Sequence, residues 1–371
     1  MSSLRKDLED IESLFCSHDS PNIEIIRSHS LEILLSLSES DEFIEEISNR
    51  EALLRDVLVC LPNPELSHKA LLFLVNLICN EGIANKFHSL GIVLKLYERI
   101  FTLMKKVNLV HLACSKSLLA HSQKESKTNT QGDIEEVKVY EISQNKVQID
   151  EKDIMLELDS IKLSIMCLIN LAALSGSARC EILQKNSAYE ANNFLIVLDW
   201  LSQAQTYLIF KDFINVVISI SSDEDIRVIL IDKCLKTILK ISDYALAISD
   251  VEMVEQANKV LRNLSFDNNH GPYVKEISAN TYIEKCLKFT GKQGRSSELS
   301  VKICRSIVDM CLAILTGTYA SENFSEVEYF QKVQGFCKVL EDYKKIEAAD
   351  QYYVDRIECL LHIFQTAKES S

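Results

Sequence analysis

The stretch HLACSKSLLAH brings His111, Cys114 and His121 close together. Imidazole and thiolate are zinc donors, and zinc sites usually space them as C-x2–4-C and H-x3–5-H pairs. Here the second Cys is missing and the two His stand too far apart. The stretch reads as a helix end running into a polar linker. GKQGRS, residues 291 to 296, offers two Gly and a Lys, but a phosphate loop needs G-x-x-x-x-G-K-[ST] after a strand. The order is wrong and no strand precedes it. G-x-S-x-G, H-E-x-x-H and G-x-G-x-x-G do not occur. The expectation is a non-enzymatic chain with no cofactor and no metal. Asn263-Leu264-Ser265 and Asn323-Phe324-Ser325 match the glycosylation acceptor formally and are read as accidental.

What recurs is an amide. KALLFLVNLICNEG carries Asn76 near the end of an apolar run. MCLINLAALSGS places Asn170 in a similar frame, FINVVISISSDED places Asn215 there, and KVLRNLSFDNN places Asn263 after Arg262. Weaker copies hold Ser36, Ala313 and His362. An amide offers a donor and an acceptor together, so it can bond the backbone of an extended peptide or fix one repeat to the next. Both roles are open. In importin-type repeats such an Asn follows a Trp by four residues. Here those positions hold Leu72, Met166, Lys211 and Lys259, and the single Trp, Trp200, lies outside the frame. The candidate partner groove is Asn76, Asn170, Asn215, Arg262 and Asn263.

The elements that would position these amides are helices. Apart from one wide gap, the copies recur roughly every 40 to 50 residues, at or just above the armadillo and HEAT period. Each copy ends in a polar turn (CNEG, ALSGS, SSDED, SFDNN) and another apolar helix follows. Gly91 reads as a break between two helices. Only 9 Gly and 4 Pro occur in 371 residues, too few for the turns of a large sheet protein. The predicted fold is all-α, an armadillo/HEAT-type helical solenoid. Its repeats occupy 1–120 and 154–371 as one continuous array.

Residues 121–153 are rich in Lys, Glu, Gln and Ser and are read as a disordered polar insertion. Alternation in VKVYEI allows a transient strand there, with no partner strand evident. Brief protease treatment is expected to cut first within 121–153, with the two halves staying associated. Mass spectrometry of the fragments checks this, and early cleavage elsewhere would contradict it.

The chain is 47% hydrophobic and 25% charged, enough for a large core. Its net charge of -14 repels phosphate backbones and suits a basic client rather than nucleic acid. The 12 Cys form no C-x-x-C pair, and most sit in apolar helical stretches, as free thiols of a reducing compartment do. No run reaches the ~18 apolar residues of a membrane span, and MSSLRKDLEDIESLF lacks an apolar signal core. The expected location is the cytoplasm, with no membrane partner.

Three stretches carry a resemblance to a known family. They are NPELSHKALLFLVNLICNEGIANKF, VEQANKVLRNLSFDNNHGPYV, and the closing segment from VKICRSIVDMCLAILTGTYA to KVLEDYKKIE. In this order they resemble the armadillo-type Hgh-one (brain protein sixteen) family. The later repeat departs from the family pattern, with DVEMVEQANKV before the Arg-Asn pair and Leu264-Ser265 after it. The resemblance implies a chaperone or adaptor that assists folding of translation elongation factor 2 beside general chaperones. A second reading is a regulator of a general chaperone, such as an Hsp70 nucleotide-exchange factor, or a generic interaction scaffold.

Overall fold

A computed structural model describes residues 3–17, 21–106, 151–183, 193–203, 206–266, 273, 275–277, 280–293, 298–320, 336–347 and 350–369. Among them every regular element is helical, with no strand. The chain divides into two compact units, Met1–Cys167 and Leu168–Ser371.

The first unit begins with α1 (Ser3–Phe15), α2 (Ile23–Leu37), α3 (Asp41–Ile47), α4 (Glu51–Val59), α5 (Pro64–Ile78) and α6 (Glu81–Ser89). A helical stretch over 92–106, here α7, follows. Helix α8 (Glu151–Leu174) contains the boundary between the units. The second unit continues with α9 (Gly176–Leu183), α10 (Asn193–Leu201), α11 (Tyr207–Ser221), α12 (Glu224–Lys233), α13 (Leu235–Ile248) and α14 (Val251–Leu264). It ends with α15 (Tyr282–Gln293), α16 (Glu298–Ala320), α17 (Phe336–Ile346) and α18 (Gln351–Glu369).

Three of the polar turns read from the sequence, CNEG, ALSGS and SSDED, start helices, while SFDNN lies outside the described residues after Phe266. Asn63 caps α5, its side chain accepting from the Glu65 and Leu66 amides, and Pro64 supplies a fixed φ in the first turn. Asn80 caps α6 by accepting from the Ile83 amide, and Asp223 caps α12 through the Asp225 amide. Ser175 does the same for α9 through Ala178. Gly91 has φ +75, a left-handed turn that ends α6 and starts α7, so the predicted break is there.

Packing repeats from helix to helix. In the first unit α2 lies against α5, and Leu31 and Leu34 of α2 and Phe73, Leu74 and Leu77 of α5 are fully buried. Phe43 of α3 meets the Phe73 ring edge-on at 6.2 Å. Each such side chain, fully removed from water, contributes about 1.5–3 kcal/mol. In the second unit α11 packs on α14, α14 on α16, and α16 on α18. Side-chain bonds cross these pairs about one repeat apart. Lys69 Nζ reaches Ser28 Oγ at 2.7 Å, Lys211 Nζ reaches Glu252 at 3.1 Å, and Arg356 of α18 reaches Asp309 of α16 at 2.7 Å.

The insertion read over 121–153 lies outside the described residues up to 150, and residues 151–153 form the first turn of α8. His111, Cys114, His121 and VKVYEI also lie outside. Among the described residues no helix is long and apolar enough to cross a membrane, and no cluster of metal-binding side chains occurs.

The thiols follow their burial. Burial pushes Cys60 up to about 11, and Cys234 and Cys286 up to about 12, whereas Cys79, Cys180, Cys337 and Cys359 are exposed. The thiolate is the reactive form. A brief maleimide pulse at neutral pH is therefore expected to label the exposed four before the buried three. Peptide mapping checks this. Equal labelling of Cys234 in the native protein would contradict the packing.

Candidate partner-binding site

Asn76 belongs to the first unit, and Asn170, Asn215, Arg262 and Asn263 to the second. Each is described within its own unit.

Asn76 sits in the last turn of α5. Its Nδ2 donates to Ser38 Oγ at 2.8 Å, and Ser38 is the residue that closes α2. Asn263 sits in the last turn of α14. Its Nδ2 donates to Ser221 Oγ at 3.0 Å and to the Ile218 carbonyl at 3.3 Å, both at the end of α11. The same bond is thus made twice, once in each unit. An amide at one helix end grips the end of the preceding equivalent helix. Of the two roles open to the amide, this geometry supplies the structural one at these two positions.

Asn215 does not share the place. Like Asn76 it is exposed, but it stands well inside α11, because the mostly apolar stretch Val216–Ile220 carries that helix a further turn before the polar stop. Its neighbour Lys211 crosses to α14, meeting Asp250 at 3.2 Å and Glu252 at 3.1 Å. Asn170 is half-buried in α8. Ser36, read as the equivalent of the Asn in the first copy, instead donates to its own Ile33 carbonyl. Ser38 is the residue that meets Asn76.

Arg262 leads to the site proper. Successive residues on a helix point about 100° apart. Asn263 faces α11 while Arg262 faces a cavity of about 320 Å³ beside α16, also lined by Glu255, Lys259, Lys302, Arg305 and Tyr353. Helix α14 is set by Asp250, whose carboxylate accepts from the Met253 amide at 3.2 Å, and by its apolar face of Val254, Ala257, Leu261 and Leu264. That leaves Glu255, Lys259 and Arg262 on the other side, three and four residues apart, as neighbours on one face.

The floor is a buried relay. Tyr282 Oη donates to Asn258 Oδ1 at 2.9 Å, and Asn258 Nδ2 donates to Ser306 Oγ at 2.7 Å. Burial raises the Tyr282 pKa well above its ordinary value, so the hydroxyl stays a donor. The far wall is Arg305. Its Nε and Nη2 donate to the two Glu347 oxygens at 2.7 and 2.6 Å, and Nη2 also meets Asp350 at 3.1 Å. Its guanidinium lies over the Tyr353 ring, 4.4 Å from the centroid. The hydrogen bond to Glu347 raises its pKa further.

Lys259, Lys302, Arg305 and Tyr353 were not singled out from the sequence. A signal was present, since KVLR (259–262) and KICR (302–305) repeat the same Lys-x-x-Arg spacing on adjacent helices. Comparison with known protein families and with curated proteins finds no match for the chain.

Proposed function

We propose that this chain is a helical-repeat protein of the armadillo/HEAT kind that binds a protein client and catalyses no reaction. The observation that supports it most is the recurrence of one amide bond, Asn76 to Ser38 and Asn263 to Ser221, between ends of successive equivalent helices. One repeat cannot cover its own apolar faces. Stacking buries them and leaves an extended surface, which is what such proteins use for binding. The stack α11, α14, α16 and α18 offers one face of this kind, with Arg262 on it.

The client follows from the sequence resemblance: translation elongation factor 2, with general chaperones as companions, in the cytoplasm. The test is a titration of the full chain with purified eukaryotic elongation factor 2, followed by calorimetry. Saturable binding is the expected result. No heat at tens of micromolar, together with faster nucleotide release from Hsp70, would replace this reading with the exchange-factor one.

A further inference from the structure

We infer that the cavity between α14 and α16 is a docking site for an acidic peptide segment of a protein partner, with one carboxylate seated against Lys259 and Arg262. The inference rests on the client-binding reading and names the chemistry of its site.

The charges around the cavity are not equally available. Arg305 is taken up by Glu347 and Asp350. Lys302 meets Glu298 at 3.0 Å, and Asp309 is held by Arg356 at 2.7 Å. Two cations remain. Lys259 Nζ has only the neutral Gln256 amide oxygen at 3.3 Å. Arg262 has no hydrogen-bond or ion-pair partner among the described residues, and its Nε is buried without an acceptor. A buried guanidinium nitrogen left without an acceptor is costly. Glu255 is the only lining anion without an ion-pair partner among the described residues. Lys259 and Arg262, three residues apart on one helix face, are therefore the two lining cations with no anionic partner among the described residues, a pair spaced for one carboxylate.

Shape agrees with charge. A space of about 320 Å³ takes one or two side chains and no folded domain. Arg262 presents a planar fork of donors to a carboxylate. The Tyr353 ring, held by Arg305, provides an apolar wall for a neighbouring residue of the peptide. The floor of Asn258 and Ser306 is already hydrogen-bonded, so it fixes the depth of the site without needing the ligand.

The test is to pan a phage library of random heptapeptides on the full chain and to measure an enriched peptide, fluorescein-labelled, by anisotropy. Enriched sequences are expected to carry Asp or Glu beside an apolar residue. Binding should weaken at least about tenfold on Arg262→Glu and on Lys259→Glu, and by clearly less on Arg262→Lys, which keeps the charge and loses the fork. Exchanging the peptide's acid for its amide should have the same effect as Arg262→Glu. Circular dichroism and melting of each variant show whether it folds, and Arg262→Lys keeps the comparison valid if a reversal does not. Enrichment without acidic residues, equal binding of an acidic peptide to wild type and Arg262→Glu, or binding of poly(U) RNA in place of acidic peptides would each overturn the inference. The two readings fail separately. A chain that selects acidic peptides but ignores elongation factor 2 keeps this site and loses that client. A chain that binds elongation factor 2 equally well with Arg262→Glu, and selects no acidic peptide, keeps the client and loses this site.

Discussion

Asn258→Ala is expected to lower the unfolding free energy by about 2–4 kcal/mol, among the largest single-site losses in the chain. Asn258 is 1% exposed and Tyr282 is fully buried. The amide accepts from Tyr282 and donates to Ser306, so it links α15, α14 and α16 in one relay. Alanine leaves the Tyr282 hydroxyl without this acceptor and opens a small void beneath the cavity. Tyr282→Phe should cost less, about 1–2 kcal/mol, because it removes one donor and keeps the ring. The two changes should not add, since they touch the same network. Urea unfolding of the two single variants and the double variant measures this. An Asn258→Ala protein within 0.5 kcal/mol of wild type would show that the relay is not formed.

Arg99→Ala should destabilise by about 2–3 kcal/mol, and Arg99→Met by less. Arg99 is 5% exposed in α7. Nη2 donates to the buried Ser67 Oγ at 2.7 Å and lies 3.9 Å from Glu157 of α8. Burial lowers its pKa, but a guanidinium keeps its charge at neutral pH. Lys106 still holds Glu157 Oε1 at 2.5 Å when Arg99 is removed, while the buried Oε2 loses the guanidinium 3.9 Å away, so the loss comes from packing, from Ser67 and from that oxygen. Methionine refills the space of the stem but not the bond to Ser67, so it should rescue the packing part of the effect. Thermal melts of the two variants decide the point. Equal losses for Ala and Met would place the stability in the charge.

Helices and their starts were legible because they are local properties. The turns that hold Asn80 and Asp223, and the break at Gly91, announce helix starts and stops that need no knowledge of neighbours. The frame of the amides was legible at Asn76 and Asn263, where the polar turn follows at once. It misled at Asn215, because Val216–Ile220 extends α11 and moves the helix end to Ser221. The cavity was less legible. Which side of α14 faces α16 depends on how the apolar faces of α13, α14 and α16 meet, and no local pattern states that. Arg262 was picked out through its neighbour Asn263, yet the two side chains point to different helices.

The most direct test is to measure a melting curve and an elongation factor 2 binding isotherm on the same Asn263→Ala and Asn76→Ala proteins. Both should melt earlier, Asn263→Ala by about 1–3 kcal/mol and Asn76→Ala, whose residue is exposed, by about 0.5–1.5 kcal/mol. Binding per folded molecule should stay at the wild-type value, because these amides join helices. Unchanged melting with lost binding would contradict this and would make the amides the contact surface itself.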